Sequence, residues 1–266
     1  SAIDAGVLGE GFVYRLLKRL ERAFYSEALL VSVVLETWRA EVSRSARSIV
    51  VVPNGVDLQR FRDLDDLARE VLDPDRLSFL DDHFIVLYPG NLGKMQETMA
   101  FLKAAEYIGR VDNGEIQFVF LGEGLEKEEL MSWVDQQKLR NCQFWDPVPS
   151  GTVPAIIQHS DIGIVGLKSK LRAYDGGVPS KVYEYLAGDL DVVACLQGEL
   201  PRDLLESNKF FVFDNADIEG IAKKILELRS VGKKTQTSMA LLEKMSRTRH
   251  FERLWSAMQA QVERSS

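Results

Sequence analysis

From residue 84 onward, short apolar runs alternate with amphipathic segments, and this alternation constrains the fold more than any other feature. The runs at 84–89, 116–121, 142–146, 161–166, 191–195 and 209–213 are five or six residues long, the length of buried strands. Helical patterns fit 95–108, 125–138, 151–159, 180–188, 201–207 and 217–229 between and after them. Near-continuous apolar strands separated by helices predict βαβ units and a parallel sheet covered on both faces. The expected fold class is therefore α/β, with a Rossmann-like sheet. Two further helical patterns, 235–246 and 248–263, break the alternation and read as a tail lying on something else.

The part before residue 84 is less regular. Phe12, Val13, Leu16, Leu17, Leu20 and Phe24 fall on one side of a helix, with Arg15, Lys18, Arg19 and Arg22 largely on the other. Packing on another helix is the expected use of this stripe, ahead of a membrane-surface role. A strand (28–34), a short helix (35–44) and a second strand (48–52) follow, and Pro53-Asn54-Gly55 ends that strand with turn chemistry. The acidic stretch 63–82 lacks calcium-loop spacing and is expected to be a solvated, partly helical connector.

Composition removes several functions. With 33 Lys+Arg against 40 Asp+Glu, the formal net charge of -7 argues against general nucleic-acid binding. Two cysteines, Cys142 and Cys195, are too few for a disulfide framework and fit a reducing cytoplasm as inert, buried thiols. His83, His159 and His250 are scattered, and no ligand-pair spacing points to a protein metal site. His159 is expected to serve the end of its helix, and Trp38, Trp133, Phe144 and Trp145 to lie in the core.

In an open parallel sheet, ligands bind outside the carboxyl ends of the strands. Gly90-Asn91-Leu92-Gly93-Lys94 follows one strand, Gly122-Glu123-Gly124 another, and a long polar loop leads to Gly176-Gly177-Val178-Pro179-Ser180-Lys181. Glycines admit close backbone approach, and helix N-termini favour anions, so these loops together point to a nucleotide or another phosphate ligand. Neither familiar phosphate fingerprint is complete. Lys127 stands where the third dinucleotide glycine belongs, and Met95 follows Gly93-Lys94 where a P-loop needs Ser or Thr. Pro179 suits a helix start, Ser180 can cap it, Lys181 can meet a diphosphate, and Glu184 one turn on can accept sugar hydroxyls.

The stretches Val51-Val52-Pro53-Asn54-Gly55-Val56-Asp57, Gly90-Asn91-Leu92-Gly93, Leu121-Gly122-Glu123-Gly124 and Pro179-Ser180-Lys181-Val182-Tyr183-Glu184-Tyr185-Leu186-Ala187 resemble, in order and spacing, the retaining glycosyltransferases of family 4. These are two-lobed GT-B enzymes that use nucleotide-sugar donors. The Pro-Ser-Lys-x-Tyr-Glu-Tyr form is similar to the branch that builds bacterial surface polysaccharides. The resemblance implies that residues 53–232 are the donor-binding lobe, 1–52 a remnant of a largely missing acceptor lobe, and 233–266 helices crossing back toward it. Exposed apolar surface is then expected where that lobe sits.

The resemblance also implies site roles. Lys181 and Glu184 are the expected catalytic and donor-binding pair, with Lys181 on the diphosphate and Glu184 on the ribose. Gly90, Asn91, Gly93, Gly122, Gly124, Gly176, Gly177, Val178 and Ser180 complete the donor site. Gly176 stands where many members carry a first glutamate, Asn91 where many carry arginine, and Asp189 and Asp191 where many carry glycine and proline. No metal or other cofactor is expected, and a UDP-sugar is favoured over a GDP-sugar. The expected acceptor is a sugar or lipid-linked sugar held by the other lobe, at the inner face of the membrane. The alternative is a non-catalytic nucleotide-sugar-binding module, or half of a split transferase working through a partner chain.

Overall fold

The computed structural model describes residues 11–62, 64–112, 114–168, 177–198, 200–232 and 235–265. It opens with helix α1 (Phe12–Glu27), strand β1 (Val31–Val33), helix α2 (Glu36–Val42) and strand β2 (Ile49–Val51). The two strands pair in parallel as a separate small sheet, over a core of Val33, Val42 and Val51. α1 joins this unit through its polar side: Lys18 reaches Glu41 on α2 at 3.5 Å, and Tyr25 packs on the small core. Its apolar arc points outward, with Phe12 75% and Phe24 71% exposed. The expected partner helix is not met among the described residues. Trp38, expected in the core, is instead 37% exposed and is not among the residues of the small core.

A 3-10 turn (Leu58–Phe61) leads to α3 (Leu64–Val71) and α4 (Pro74–Asp82). The expected connector is thus helical, and it packs on the core with one side where a solvated segment was expected. Leu64, Ala68, Leu72 and Leu80 recur every four or eight residues and are buried, while Glu70, Asp75, Asp81 and Asp82 are exposed. Asp73 caps α4 by accepting from the Arg76 N–H, and Pro74 occupies its first turn.

The six apolar runs become β3 (Phe84–Pro89), β4 (Ile116–Leu121), β5 (Cys142–Trp145), β6 (Ile162–Gly166), β7 (Asp191–Cys195) and β8 (Phe210–Val212). All pair in parallel, in the order β5-β4-β3-β6-β7-β8. Alternate residues feed two cores. Ile85, Leu87, Val119 and Leu121 face one side, and Val86, Phe118 and Phe120 the other. The first side is covered by α7 (Val153–Gln158) and α8 (Ser180–Ala187), with α9 (Arg202–Leu205) near the sheet's end. α5 (Thr98–Gly109), α6 (Lys127–Gln137) and α10 (Ile218–Val231) cover the second. The chain closes with α11 (Met239–Lys244) and α12 (Arg247–Ser265).

The strand order reverses between β3 and β6, since β4 and β5 lie on one side of β3 and β6, β7 and β8 on the other. Loops leaving these two strands separate to opposite faces, which opens a crevice at their carboxyl ends. α8 is drawn into this crevice by Tyr185, whose hydroxyl donates to the Ile164 carbonyl at 2.9 Å. Its ring lies so close to β6 that a Cβ on Gly163 would fall 2.3 Å from it. Only glycine lets the helix approach this far.

Candidate functional site

Three loops converge on the β3/β6 crevice. Gly90, with φ +128°, turns the chain out of β3. A Cβ there would lie 3.2 Å from Lys181 Nζ, so this loop and the start of α8 are neighbours. The Asn91 side chain curls over Gly93, 2.8 Å from where its Cβ would be. Gln96 bridges to Leu167, and the Glu97 N–H donates to the Gly166 carbonyl. This cross-loop pairing delays α5 to Thr98, three residues after the expected start.

Gly122 is buried beneath the first loop: a Cβ on it would fall 2.0 Å from the Gly90 carbonyl oxygen. Gly124 meets the Leu92 backbone in the same way, at 2.3 Å. These two glycines therefore let one loop lie on the other. Gly177 and Val178 line a cavity of about 330 Å³, together with Val34, Asn54, Tyr183 and Arg202. The Asn54 side chain donates to the Val178 carbonyl at 3.2 Å, tying the turn after β2 to the approach to α8. Gly176 lies outside the described residues.

α8 starts at Ser180, but Pro179 is its N-cap and no side chain caps it. The expected capping role of Ser180 is thus corrected: proline supplies the extended backbone and has no hydroxyl to offer, and Ser180 is already inside the helix. Open N–H groups at a helix start present positive charge to an anion. Lys181, on the first turn, extends its ammonium over the Tyr88 ring, 3.8 Å from the centroid. Burial pushes that ammonium down to about 7, with a smaller opposing pull from Glu184. Tyr88 is fixed in turn, since its hydroxyl donates to the Asn91 carbonyl at 2.9 Å and contacts Gln96 Oε1 at 3.1 Å.

One turn further, Glu184 meets a residue that sequence reasoning missed. Arg60 Nη1 lies 3.5 Å from Glu184 Oε1, and its Nη2 donates to the Ser150 carbonyl. A second missed group is Lys127, which is buried and holds Glu123 at 2.7 Å and Asp146 at 2.9 Å, bracing the loops after β4 and β5. These hydrogen bonds hold the Lys127 ammonium above its ordinary range. A lysine in the first turn of a helix, where the dipole disfavours cations, was the available signal.

Other candidates resolve simply. Burial pushes the Cys142 and Cys195 thiols up to about 12, although Cys142 is only partly covered. His159 stands at the C-cap of α7, and its ring turns to Asp81 at 2.7 Å. Among the described residues no three His, Cys, Asp or Glu side chains gather as metal ligands.

Residues 72–240 match the sequence profile of the family described as Glycosyl transferases group 1, well over half of the chain. The chain belongs to this family. A relative from Escherichia coli K12, described as a putative colanic acid biosynthesis glycosyl transferase WcaI, is 29% identical over 143 residues. That alignment covers 54% of this chain and 34% of the relative, so the chain spans about a third of the relative's length.

Solved structures share the fold at low identity. Sucrose-phosphate synthase from Thermosynechococcus elongatus superposes with a TM-score of 0.68 at 19% identity, covering 96% of this chain and 62% of that one. Anabaena Alr3699/HepE, solved with UDP and glucose, gives 0.69 at 14% identity, with 91% and 66% covered. Staphylococcus aureus TarM, solved as a mutant with UDP, gives 0.62 at 18%, with 90% and 46% covered. The chain thus has the GT-B Rossmann-like architecture, with a six-stranded parallel sheet flanked by helices.

Proposed function

We propose that this chain is the donor-binding part of a retaining family 4 glycosyltransferase. It holds a nucleotide-diphosphate sugar for transfer to an acceptor in polysaccharide or glycolipid synthesis. One observation carries this reading. At the switch point of the sheet, an uncapped helix start places Lys181 beside the Gly90 loop and Glu184 one turn behind it. A diphosphate takes the helix N–H groups and Lys181, and the ribose diol takes the Glu184 carboxylate. Gly90, Asn91, Gly93, Gly177, Val178 and Ser180 border the phosphates and sugar, and Gly122 and Gly124 support the loop above them. In catalysis, these pre-set donors stabilise charge on the departing diphosphate. The lysine and helix N-terminus supply the positive charge themselves, so donor binding is expected without a metal.

The nucleotide is taken to be UDP, with GDP the runner-up. Family relatives are longer than this chain, and the outward apolar faces of α1 and α12 fit contact with a first, acceptor-binding lobe. On this reading, residues 1–52 are the adjoining part of that lobe and the chain alone transfers little sugar. The acceptor reaches it at the cytoplasmic face of the membrane.

Calorimetric titration with UDP, GDP and ADP, with and without EDTA, tests the proposal. Binding of one nucleotide, unchanged by EDTA, is expected. Glu184→Ala should weaken it about tenfold or more, the scale of a charged hydrogen bond, with unfolding unchanged. Unaltered affinity in that variant would remove Glu184 from the site.

A further inference from the structure

We propose that Arg60 is a positioning residue of the donor site: it orients the Glu184 carboxylate for the ribose and locks the segment after β5 against α8. The inference rests on the donor reading above and goes beyond it by naming a residue from outside the loops at the strand ends.

Three observations carry it. First, Arg60 stands on an anchored base. The turn Leu58–Phe61 is capped by Asp57, which accepts from the Gln59 N–H at 3.0 Å, and Leu58 and Phe61 pack on the core. Second, its guanidinium reaches two distant segments at once, Glu184 on α8 and the Ser150 carbonyl after β5. Third, the Glu184 side chain is mostly covered, and Arg60 is its ion-pair partner among the described residues.

A mostly covered carboxylate without a cation partner turns toward water. Held by a planar guanidinium through Oε1, it is fixed in one orientation and keeps its remaining acceptor positions for a diol. Hydrogen bonds to an ionised acceptor are about twice as strong as neutral ones. The fork also suits a bridge between a carboxylate and a carbonyl, which a lysine ammonium imitates only in charge.

The test must separate positioning from plain structural support. Wild type, Arg60→Ala and Arg60→Lys are titrated with UDP and 2′,3′-dideoxy-UDP, or with the GDP pair where GDP is the nucleotide wild type binds. Wild type should prefer the ribose form by about tenfold or more. Arg60→Ala should lose most of that preference, and Arg60→Lys should recover part of it. An undiminished preference in Arg60→Ala, even with weaker binding overall, overturns the inference and leaves Arg60 as a clip. Wild type that binds nucleotide without a ribose preference removes the role of Glu184 instead, and absence of any nucleotide binding removes the donor site. If Arg60→Ala does not fold, Arg60→Lys decides, and an unchanged ratio there overturns the inference.

Discussion

Lys181 holds its charge at a cost in the free protein. The groups facing it are the Tyr88 ring and the Gly90 turn from β3, and Glu184 on its own helix. Desolvation outweighs the carboxylate, so its ammonium has lost half of its protonation near 7 instead of 10.5. A diphosphate favours the charged form, so donor binding above neutrality should take up a proton. Affinity for a UDP-sugar, whose diphosphate keeps its charge in this range, should fall by up to about tenfold per pH unit above 7. Lys181→Met should flatten that slope, and a slope unchanged by the substitution would assign it to another group. The same shift affects stability. Between about 7 and 10.5 the unfolded chain binds the extra proton, so this lysine contributes stability that rises with pH across that window. Thermal unfolding at pH 6.5 and 9.5 should show the rise in wild type and a smaller one in Lys181→Met. Lys181 and Glu184 are legible in the sequence because both lie in one short helical motif. Arg60 is not, because its partners are far along the chain and only the fold brings them together.

Whole elements show the same division between local and distant information. The strands β3, β4 and β7 begin and end where the apolar runs do, because each is buried on both faces and its pattern is self-contained. α5 begins late because Gln96 and Glu97 are used by β6 and Leu167, a pairing that no local pattern encodes. The acidic stretch at 63–82 hid two packing helices, since charge counts outweigh four spaced apolar residues when a segment is read by composition. Asp189 shows a departure made useful. It takes φ +62°, where glycine is easier, while its carboxylate accepts from the Thr237 N–H at 2.7 Å and its carbonyl from Lys209 at 3.0 Å. The loop glycines give a sharper test. A methyl group on Gly122 meets the Gly90 carbonyl, which is backbone and cannot step aside. Gly122→Ala should cost at least about 2 kcal/mol and lower the melting temperature by several degrees. It should also weaken nucleotide binding, because the displaced part is the phosphate-side loop. Gly151→Ala, with nothing within 4 Å of the new atom, is the matched control and should leave both unchanged.

At the scale of the molecule, the closing segments are stitched to the start of the large sheet's domain. Val56 pairs with Ser246, its N–H donates to the Met245 carbonyl, and the Arg247 side chain donates to the Gly55 carbonyl at 3.1 Å. α12 therefore leaves from a fixed point, and Phe251, Trp255 and Met258 form an exposed stripe along it. α1 presents a second stripe through Leu16, Leu20 and Phe24, bordered by exposed Arg15, Arg19 and Arg22. Amphipathicity made both helices legible, but it gave no sign of what their apolar sides meet. Clustered apolar surface of this kind drives association in water. The chain by itself should therefore self-associate as its concentration rises, which sedimentation velocity would detect as a growing weight-average coefficient. Replacing Leu16, Leu20 and Phe24 together with lysine should remove the α1 contribution. These side chains bury little within the chain, so the melting temperature should stay within about 2 °C of wild type. A large fall would instead place the stripe inside the fold of this chain. Nucleotide binding should be untouched, because α1 belongs to the small sheet and the Lys181 crevice to the large one.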